Sequence, residues 1–224
     1  MDKKVRNNVE KFYYDNHRVY TNEDGGQYEE EVLNIYQNDE NRFHDPIYNN
    51  PNAKKQIYTF GCSWTYGWGV EQTETFTHLL GDENTTVHNY GAGGTGLDFA
   101  VKTLSEVYIP ESRRQIFIIT VPHFFRRTWF NDNGVVYKPW QVKEFVDINE
   151  YNNYFYFLHH YNILNRFIGR DKIIWGTWEE DLPRDKFDVV FECIDHTEDG
   201  LHPGPKAHKQ YADRLKNVLQ DRFK

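Results

Sequence analysis

The chain has 224 residues, a length that fits one large domain with a full hydrophobic core. Its 26 basic and 34 acidic side chains give a formal net charge of −8, and no stretch concentrates Lys and Arg, so the composition argues against a nucleic-acid partner. No apolar run reaches membrane-spanning length, and the N-terminus lacks the apolar segment of a secretory signal. We therefore expect a cytoplasmic protein with no membrane partner; virion association and non-classical export remain alternatives.

Residues 1–53 differ in composition from the rest of the chain. They are polar and lack long hydrophobic periodicity, and two pieces, Val9–Tyr14 and Glu29–Tyr36, suggest short helical turns. Their many aromatic side chains argue against a disordered tail. We expect an N-terminal extension that packs on a main domain spanning residues 54–224.

The main domain alternates predicted strands and helices. In chain order, the predicted strands are Gln56–Phe60, Thr85–Tyr90, Gln115–Val121, Lys172–Gly176 and Asp188–Ile194. The predicted helices are a segment beginning at Phe76–Leu80, and Leu97–Tyr108, Tyr151–Ile168 and Pro205–Phe223. An insertion around residues 124–150 carries a predicted turn at Asn131–Gly134. This alternation predicts an α/β fold whose parallel sheet is covered on both faces, with the active site at the carboxyl ends of the strands.

A serine on a glycine-flanked turn directly follows the first of these strands. Ser63 lies between Gly61 and Gly67, which permit a tight, exposed turn. A serine hydroxyl is a poor nucleophile unless a base takes its proton, so Ser63 is a candidate nucleophile only if such a base lies nearby. The alternative is a helix N-cap, a position that serine also favours.

An aspartate and a histidine three residues apart precede the last predicted helix. At this spacing the carboxylate of Asp199 can hold one imidazole nitrogen of His202 and leave the other facing a serine. The alternative is that Asp199 caps a turn and His202 lies on the surface. Because loops after different parallel strands meet at one sheet edge, we interpret Ser63, His202 and Asp199 as nucleophile, base and orienting carboxylate.

Three segments resemble the sequence blocks of the SGNH/GDSL-type hydrolases. They are Gly61–Gly67, Asn89–Gly94 and Asp199–Gly204, in the order of that family and over roughly residues 56–222. The resemblance implies a flavodoxin-like three-layer α/β/α sandwich with a mainly parallel, five-stranded sheet. It also implies ester hydrolysis through an acyl-enzyme, without a metal or an organic cofactor.

The resemblance further implies an oxyanion hole that includes the backbone N–H groups of Ser63 and Gly94. Two positions depart from the family pattern. Cys62 stands where the family has an aspartate that supports the turn, and we expect it to be a small buried residue rather than a reactive thiol. The family's Gly-x-Asn block is missing after the third strand, where His123 is a candidate for the absent donor. The alternative for His123 is a structural histidine at a strand end.

Aromatic side chains surround the predicted nucleophile. Trp64, Tyr66, Trp68 and Trp129 are candidate substrate contacts, because aromatic faces suit sugar rings and flat acyl groups. In a chain that is 17% aromatic, core packing is the alternative for each of them. We predict a serine esterase that acts on a short acyl or O-acetyl ester of a small molecule or carbohydrate. The alternatives are an O-acyltransferase with the same triad, and a non-catalytic carbohydrate-binding or assembly module.

Overall fold

The computed structural model describes residues 19–21, 27–29, 49–50, 52–93, 95–108, 114–121, 129–131, 134–137, 150–178 and 182–223. The strands are β1 (Val19–Thr21), β2 (Gln27–Glu29), β3 (Lys55–Gly61), β4 (Thr85–Gly91), β5 (Gln115–Val121), β6 (Trp129–Asn131), β7 (Gly134–Tyr137), β8 (Ile173–Thr177) and β9 (Val189–Val190). The α-helices are α1 (Ser63–Tyr66), α2 (Phe76–Leu79), α3 (Leu97–Val107), α4 (Glu150–Leu164) and α5 (Pro205–Arg222). Short 3₁₀ turns lie at Gln72–Glu74, Arg170–Lys172 and Arg184–Lys186, and a π-helical turn, Asn165–Gly169, continues α4.

Five strands form one parallel sheet in the order β4-β3-β5-β8-β9. Counted along the chain, this is the order 2-1-3-4-5 of flavodoxin-like folds. The order reverses between β3 and β5, and at such a switch point a crevice opens beyond the carboxyl ends of the strands. The predicted α/β class and the predicted five-stranded parallel sheet are confirmed.

Strand β5 shows that both faces of the sheet are covered. All seven of its residues are buried, and successive side chains point to opposite faces. Phe117 and Ile119 belong to a core that includes side chains of α3 and α4, whereas Ile116 and Ile118 belong to a core that includes side chains of α2 and α5. Two helical layers therefore enclose the sheet, and a strand buried on both faces has a nearly continuous apolar sequence rather than an alternating one.

The last predicted strand, Asp188–Ile194, is wrong in its length. Only Val189 and Val190 pair with β8 as β9. Strand β8 ends at Thr177, which pairs with Val190, so the chain beyond that point has no partner strand along β8. The other predicted strands of the sheet agree with the structure to within one residue at each end.

Part of the N-terminal segment is described as a small separate sheet. Strands β1 and β2 pair antiparallel, which the sequence did not predict. Of the two predicted helical turns, Val9–Tyr14 lies outside the described residues, and so does Glu29–Tyr36 apart from Glu29, which ends β2. Closer to the main domain, the Asn50 carbonyl accepts a hydrogen bond from the Thr86 hydroxyl of β4 at 3.0 Å. The extent of the N-terminal extension stays a prediction.

The predicted insertion around residues 124–150 contains a second small sheet. Strands β6 and β7 pair antiparallel with Asn131 opposite Gly134, as the predicted turn between them requires. Across the described segments of the chain, no helix has the length and apolar character needed to cross a membrane.

Candidate active site

The chain turns between β3 and α1, and Ser63 is the first helical residue after this turn. The N-cap position is taken by Cys62, whose side chain is 2% exposed and makes no capping hydrogen bond. The N-cap interpretation of Ser63 is therefore wrong, and the expectation that Cys62 is a small buried residue is confirmed. Ser63 itself is partly exposed at the carboxyl end of β3.

His202 lies between Ser63 and Asp199. Its Nε2 is 2.9 Å from Ser63 Oγ, and its Nδ1 is 2.5 Å from Asp199 Oδ2. The structure thus brings together the three side chains that the sequence suggested as one site, although they come from loops after β3 and β9. The side chain of His202 is only 19% exposed, which argues against the alternative of a surface histidine. In such a chain the imidazole can take the hydroxyl proton while the carboxylate fixes the tautomer.

The two carboxylate oxygens of Asp199 have different hydrogen-bond partners. Oδ2 contacts His202, whereas Oδ1 accepts hydrogen bonds from the backbone N–H groups of Leu201 and His202 at 2.8 and 3.0 Å and from the Thr197 hydroxyl at 2.7 Å. Burial alone would raise the pKa of Asp199, but these hydrogen bonds outweigh it and hold that pKa well below its ordinary value. Asp199 therefore caps a turn and orients the imidazole at the same time, and it stays charged at neutral pH.

The loop that carries the Asp199–His202 pair is anchored to the start of α5. The Thr197 N–H donates to the His202 carbonyl at 2.9 Å, which closes the loop on itself. The carboxylate of Asp195 accepts hydrogen bonds from the backbone N–H groups at the start of α5, Lys206 at 3.0 Å and Ala207 at 2.7 Å. Because first-turn N–H groups have no acceptor within their helix, Asp195 caps α5 and fixes the loop to a rigid element.

The glycine-rich loop after β4 is hydrogen-bonded to the nucleophile turn. The Ala92 N–H donates to the Gly61 carbonyl at 2.8 Å, and the Thr95 hydroxyl donates to the Ala92 carbonyl at 2.7 Å. Gly94 and His123, two predicted oxyanion donors, lie outside the described residues. The third predicted donor, the backbone N–H of Ser63, belongs to the first turn of α1 and so has no acceptor within the helix.

Three tryptophans lie at the edge of the sheet that carries the hydrogen-bonded chain. The ring centroid of Trp68 is 5.9 Å from that of His202, and the rings of Trp64 and Trp178 are 4.6 Å apart. All three tryptophans are partly exposed. Tyr66, in contrast, is 2% exposed, which favours core packing, the alternative for this residue; its contact with substrate stays a prediction. Its ring lies 6.5 Å from that of Trp68.

Trp178 is a candidate site residue that the sequence-based prediction missed. It directly follows β8, so it lies at the same carboxyl edge of the sheet as Ser63. The signal that would have found it is this position, the first residue after a buried strand. Trp129, which the sequence predicted as a substrate contact, begins β6, and its side chain lies outside the described part of the structure.

The chemistry available at this edge of the sheet follows from the groups that are present. A hydroxyl, an imidazole and a carboxylate in hydrogen-bond contact can transfer a proton and make a serine nucleophilic. Among the described residues, no group of three or more His, Cys, Asp or Glu side chains is arranged to hold a metal ion.

No protein-family model matches the sequence, and no curated protein matches it. Several solved structures are similar to the chain. A carbohydrate esterase, whose active site is described as displaying divergent catalytic and non-catalytic binding functions, is 16% identical, over 77% of this chain and 67% of its own, with a TM-score of 0.49. A member of the lipolytic protein G-D-S-L family from Veillonella parvula DSM 2008 is 12% identical, over 74% of this chain and 98% of its own, with a TM-score of 0.48.

An acetylxylan esterase from Geobacillus stearothermophilus is 9% identical, over 77% of this chain and 95% of its own, with a TM-score of 0.45. The G-D-S-L family, which the three sequence blocks resemble, is thus named among the structures similar to this chain. At identities this low, function has to be inferred from the chain's own residues.

Proposed function

We propose that the protein is a serine esterase in which Ser63 is the nucleophile, His202 the base and then the acid, and Asp199 the group that orients His202. The observation that carries this proposal is the hydrogen-bonded chain from Ser63 Oγ through His202 to Asp199, with contacts of 2.9 and 2.5 Å. A hydroxyl needs a base at this distance to attack a carbonyl carbon.

The proposed reaction has two halves. In the first, Ser63 Oγ attacks the carbonyl carbon of the ester while His202 Nε2 takes the hydroxyl proton, and the tetrahedral intermediate then expels the alcohol, which receives that proton. In the second, His202 takes a proton from water, whose oxygen attacks the carbonyl carbon of the acyl-enzyme. The bond from that carbon to Ser63 Oγ then breaks, the acid leaves, and Ser63 Oγ receives the proton back from His202. Asp199, whose pKa is held low, remains a carboxylate beside the imidazolium that forms in each half.

The tetrahedral intermediate carries a negative oxygen that needs hydrogen-bond donors. We assign this role to the backbone N–H groups of Ser63 and Gly94 and to His123. Two observations support this assignment. Ser63 begins α1, and the residues on either side of Gly94 are linked to the nucleophile turn, since the Ala92 N–H donates to the Gly61 carbonyl at 2.8 Å and the Thr95 hydroxyl donates to the Ala92 carbonyl at 2.7 Å. Removing one donor of this kind typically lowers the rate by roughly 10²–10³-fold.

For the substrate we propose a short acyl or O-acetyl ester carried by a carbohydrate. The support is the partly exposed aromatic surface beside Ser63, formed by Trp64, Trp68 and Trp178. Tryptophan faces bury the apolar faces of sugar rings, and the indole N–H can bond a sugar hydroxyl.

Covalent labelling tests the nucleophile. We expect a fluorophosphonate to label the wild-type protein at Ser63, and we expect Ser63→Ala to lose both this labelling and the turnover of p-nitrophenyl acetate. Cys62→Ala is the control, because the adjacent thiol is the other nucleophile on this turn and is buried. Robust turnover by Ser63→Ala, or labelling that depends on Cys62, would overturn the proposal.

Acceptor competition separates the esterase from the O-acyltransferase, and the geometry of the site argues against the non-catalytic module. An O-acyltransferase would transfer more acyl groups to a sugar acceptor than to water, through the same triad. A non-catalytic module has no need of an imidazole 2.9 Å from a serine hydroxyl, so the His202–Ser63 contact favours an enzyme.

Trp178→Ala is expected to raise KM for an acetylated saccharide by about tenfold, because a lost aromatic contact is worth roughly 1 kcal/mol or more. The kcat for p-nitrophenyl acetate should change less than about threefold, since that substrate brings no sugar ring to the site. Trp178→Phe is the control, because it keeps a ring near Trp64. Equal losses of activity on both substrates would instead indicate a disturbed core, because the ring centroid of Trp178 also lies 6.2 Å from that of the buried Phe191.

A further inference from the structure

Asn89, near the end of β4, directs its side-chain amide at α1. It is 4% exposed, and the two N–H groups of Nδ2 are shared among three acceptors: the carbonyls of Thr65 and Tyr66 at 3.1 and 3.3 Å and the Thr77 hydroxyl at 3.2 Å. Oδ1 accepts a hydrogen bond from the Gly91 N–H at 2.9 Å. These partners fix the orientation of the amide, because its nitrogen faces three acceptors and its oxygen faces a backbone donor.

Helix α1 depends on such partners. It is one turn of four residues, and a single turn has little stability of its own because helix nucleation is unfavourable. The last carbonyls of a helix also lack donor partners within it. Asn89 supplies hydrogen bonds to two of them, so the turn that begins with Ser63 is held at its other end by Asn89.

The packing around α1 transmits this restraint directly. A Cβ atom added at Gly91 would lie 2.7 Å from the carbonyl carbon of Thr65 and 2.9 Å from Cα of Tyr66, so α1 rests on the backbone at the end of β4. From the other side, the Thr65 hydroxyl is hydrogen-bonded to the Thr120 hydroxyl of β5. Strands β4 and β5 both contact this one turn, so the Asn89 hydrogen bonds act on the backbone of α1 rather than on a flexible side chain.

We propose that Asn89 is a positioning residue for the Ser63 nucleophile: it holds α1 so that Ser63 Oγ stays 2.9 Å from His202 Nε2. This inference rests on the proposed esterase function. Asn89 acts through the carbonyls of α1 rather than through the substrate, so its loss lowers kcat and leaves KM nearly unchanged. A displacement of about 1 Å at a reacting group can lower the rate by about 10²-fold.

Asn89→Asp is the sharpest variant, because it keeps the shape of the side chain and replaces the donating NH₂ group by an oxygen. Gln115 offers a matched control. It is also a buried amide, 2% exposed, but it lies at the opposite, amino-terminal end of β5 and donates to the Tyr58 hydroxyl at 3.4 Å. Gln115→Glu therefore makes the same chemical change away from the site.

We expect Asn89→Asp to lower both kcat for p-nitrophenyl acetate and the rate constant of fluorophosphonate labelling by about 100-fold, with KM within about threefold of wild type. Gln115→Glu should lower Tm about as much as Asn89→Asp does, yet keep kcat within about threefold of wild type. A folded Asn89→Asp protein with wild-type kcat overturns the inference, and so does an equal loss of kcat in Gln115→Glu.

Thr77→Val is the second variant if Asn89→Asp does not fold, since it removes a hydroxyl that accepts from Asn89 Nδ2 at 3.2 Å and donates to the Thr75 hydroxyl at 3.0 Å. It should lower kcat by about threefold to tenfold with KM unchanged, and an unchanged kcat overturns the inference. Ser63→Ala keeps the two proposals apart. If it retains turnover, the esterase proposal fails; if it is inactive beside a fully active Asn89→Asp, only the role of Asn89 fails.

Discussion

Replacing His202 by glutamine is expected to lower kcat for ester hydrolysis by about 10⁴-fold or more. Glutamine can occupy the space beside Ser63 Oγ and make a hydrogen bond, but its amide cannot take up the hydroxyl proton or return it to the leaving alcohol. The activity that remains comes from substrate binding and the oxyanion donors. Steady-state turnover of p-nitrophenyl acetate, with Tm as the check on folding, measures this loss.

His196 provides the matched control for this variant. It lies in the same loop and its backbone pairs with Pro203 in an isolated bridge, but its side chain is exposed and stands outside the Ser63–His202–Asp199 chain. His196→Gln should therefore keep kcat within about threefold of wild type. Comparable losses in both variants would mean that the loop as a whole is disturbed, and the assignment of His202 as the base would lose its support.

The central sheet was predictable because its signals are local. Gln115–Val121 has the predicted ends, since a nearly continuous apolar run stopped by Pro122 fits a strand buried on both faces. Strand β9 was not predictable in length, because its end is set by where its neighbour β8 stops, at Thr177. The length of an edge strand thus depends on tertiary pairing that the local sequence does not contain.

The same distinction applies to the site. Ser63, Asp199 and His202 could be paired from the sequence because a glycine-flanked turn and an Asp/His spacing are local patterns. Trp178 carries no such local pattern, since its contact with Trp64 joins two distant strand ends. Asn89 likewise lies in a glycine-rich block whose sequence does not indicate the contacts of its amide.

The residue at which α1 begins also decides whether Ser63 is an N-cap, which the sequence left open. Serine suits both an N-cap and the first helical position, and the start of α1 one residue after Cys62 settles between them. The amide of Asn89 acquires its role only where β4 meets the carbonyls of Thr65 and Tyr66. Both outcomes depend on packing between elements, which the local sequence around either residue does not specify.

Replacing Asp188 by alanine is expected to lower the free energy of unfolding by about 3 kcal/mol. Its Oδ1 accepts hydrogen bonds from Arg170 at 2.8 Å and Arg222 at 2.9 Å, and its Oδ2 accepts one from the Trp175 N–H at 2.9 Å. One carboxylate therefore ties the start of β9 to β8 and to the C-terminal end of α5. Alanine would leave two guanidinium groups and a backbone donor without this acceptor.

The expected size follows from burial. The Asp188 side chain is 14% exposed, and those of Arg170 and Arg222 are 37% and 22% exposed. Breaking a fully buried ion pair costs roughly 3–5 kcal/mol, and partial solvent screening places this network at the lower end of that range. Asp188→Asn, which keeps a hydrogen-bond acceptor but loses the charge, should fall between wild type and alanine.

Urea denaturation of Asp188→Ala and Asp185→Ala, compared by their unfolding midpoints, separates the effect of losing the Asp188 network from the effect of losing one negative charge. Asp185 pairs with Lys186 at 2.8 Å, but its side chain is 68% exposed, so its removal should leave the unfolding midpoint almost unchanged. Folded Asp188→Ala should also keep the kcat of wild type, because Asp188 precedes β9 and lies away from the carboxyl ends that carry Ser63 and His202. Equal midpoints for the two alanine variants would mean that the desolvation of the Asp188 network cancels its attraction.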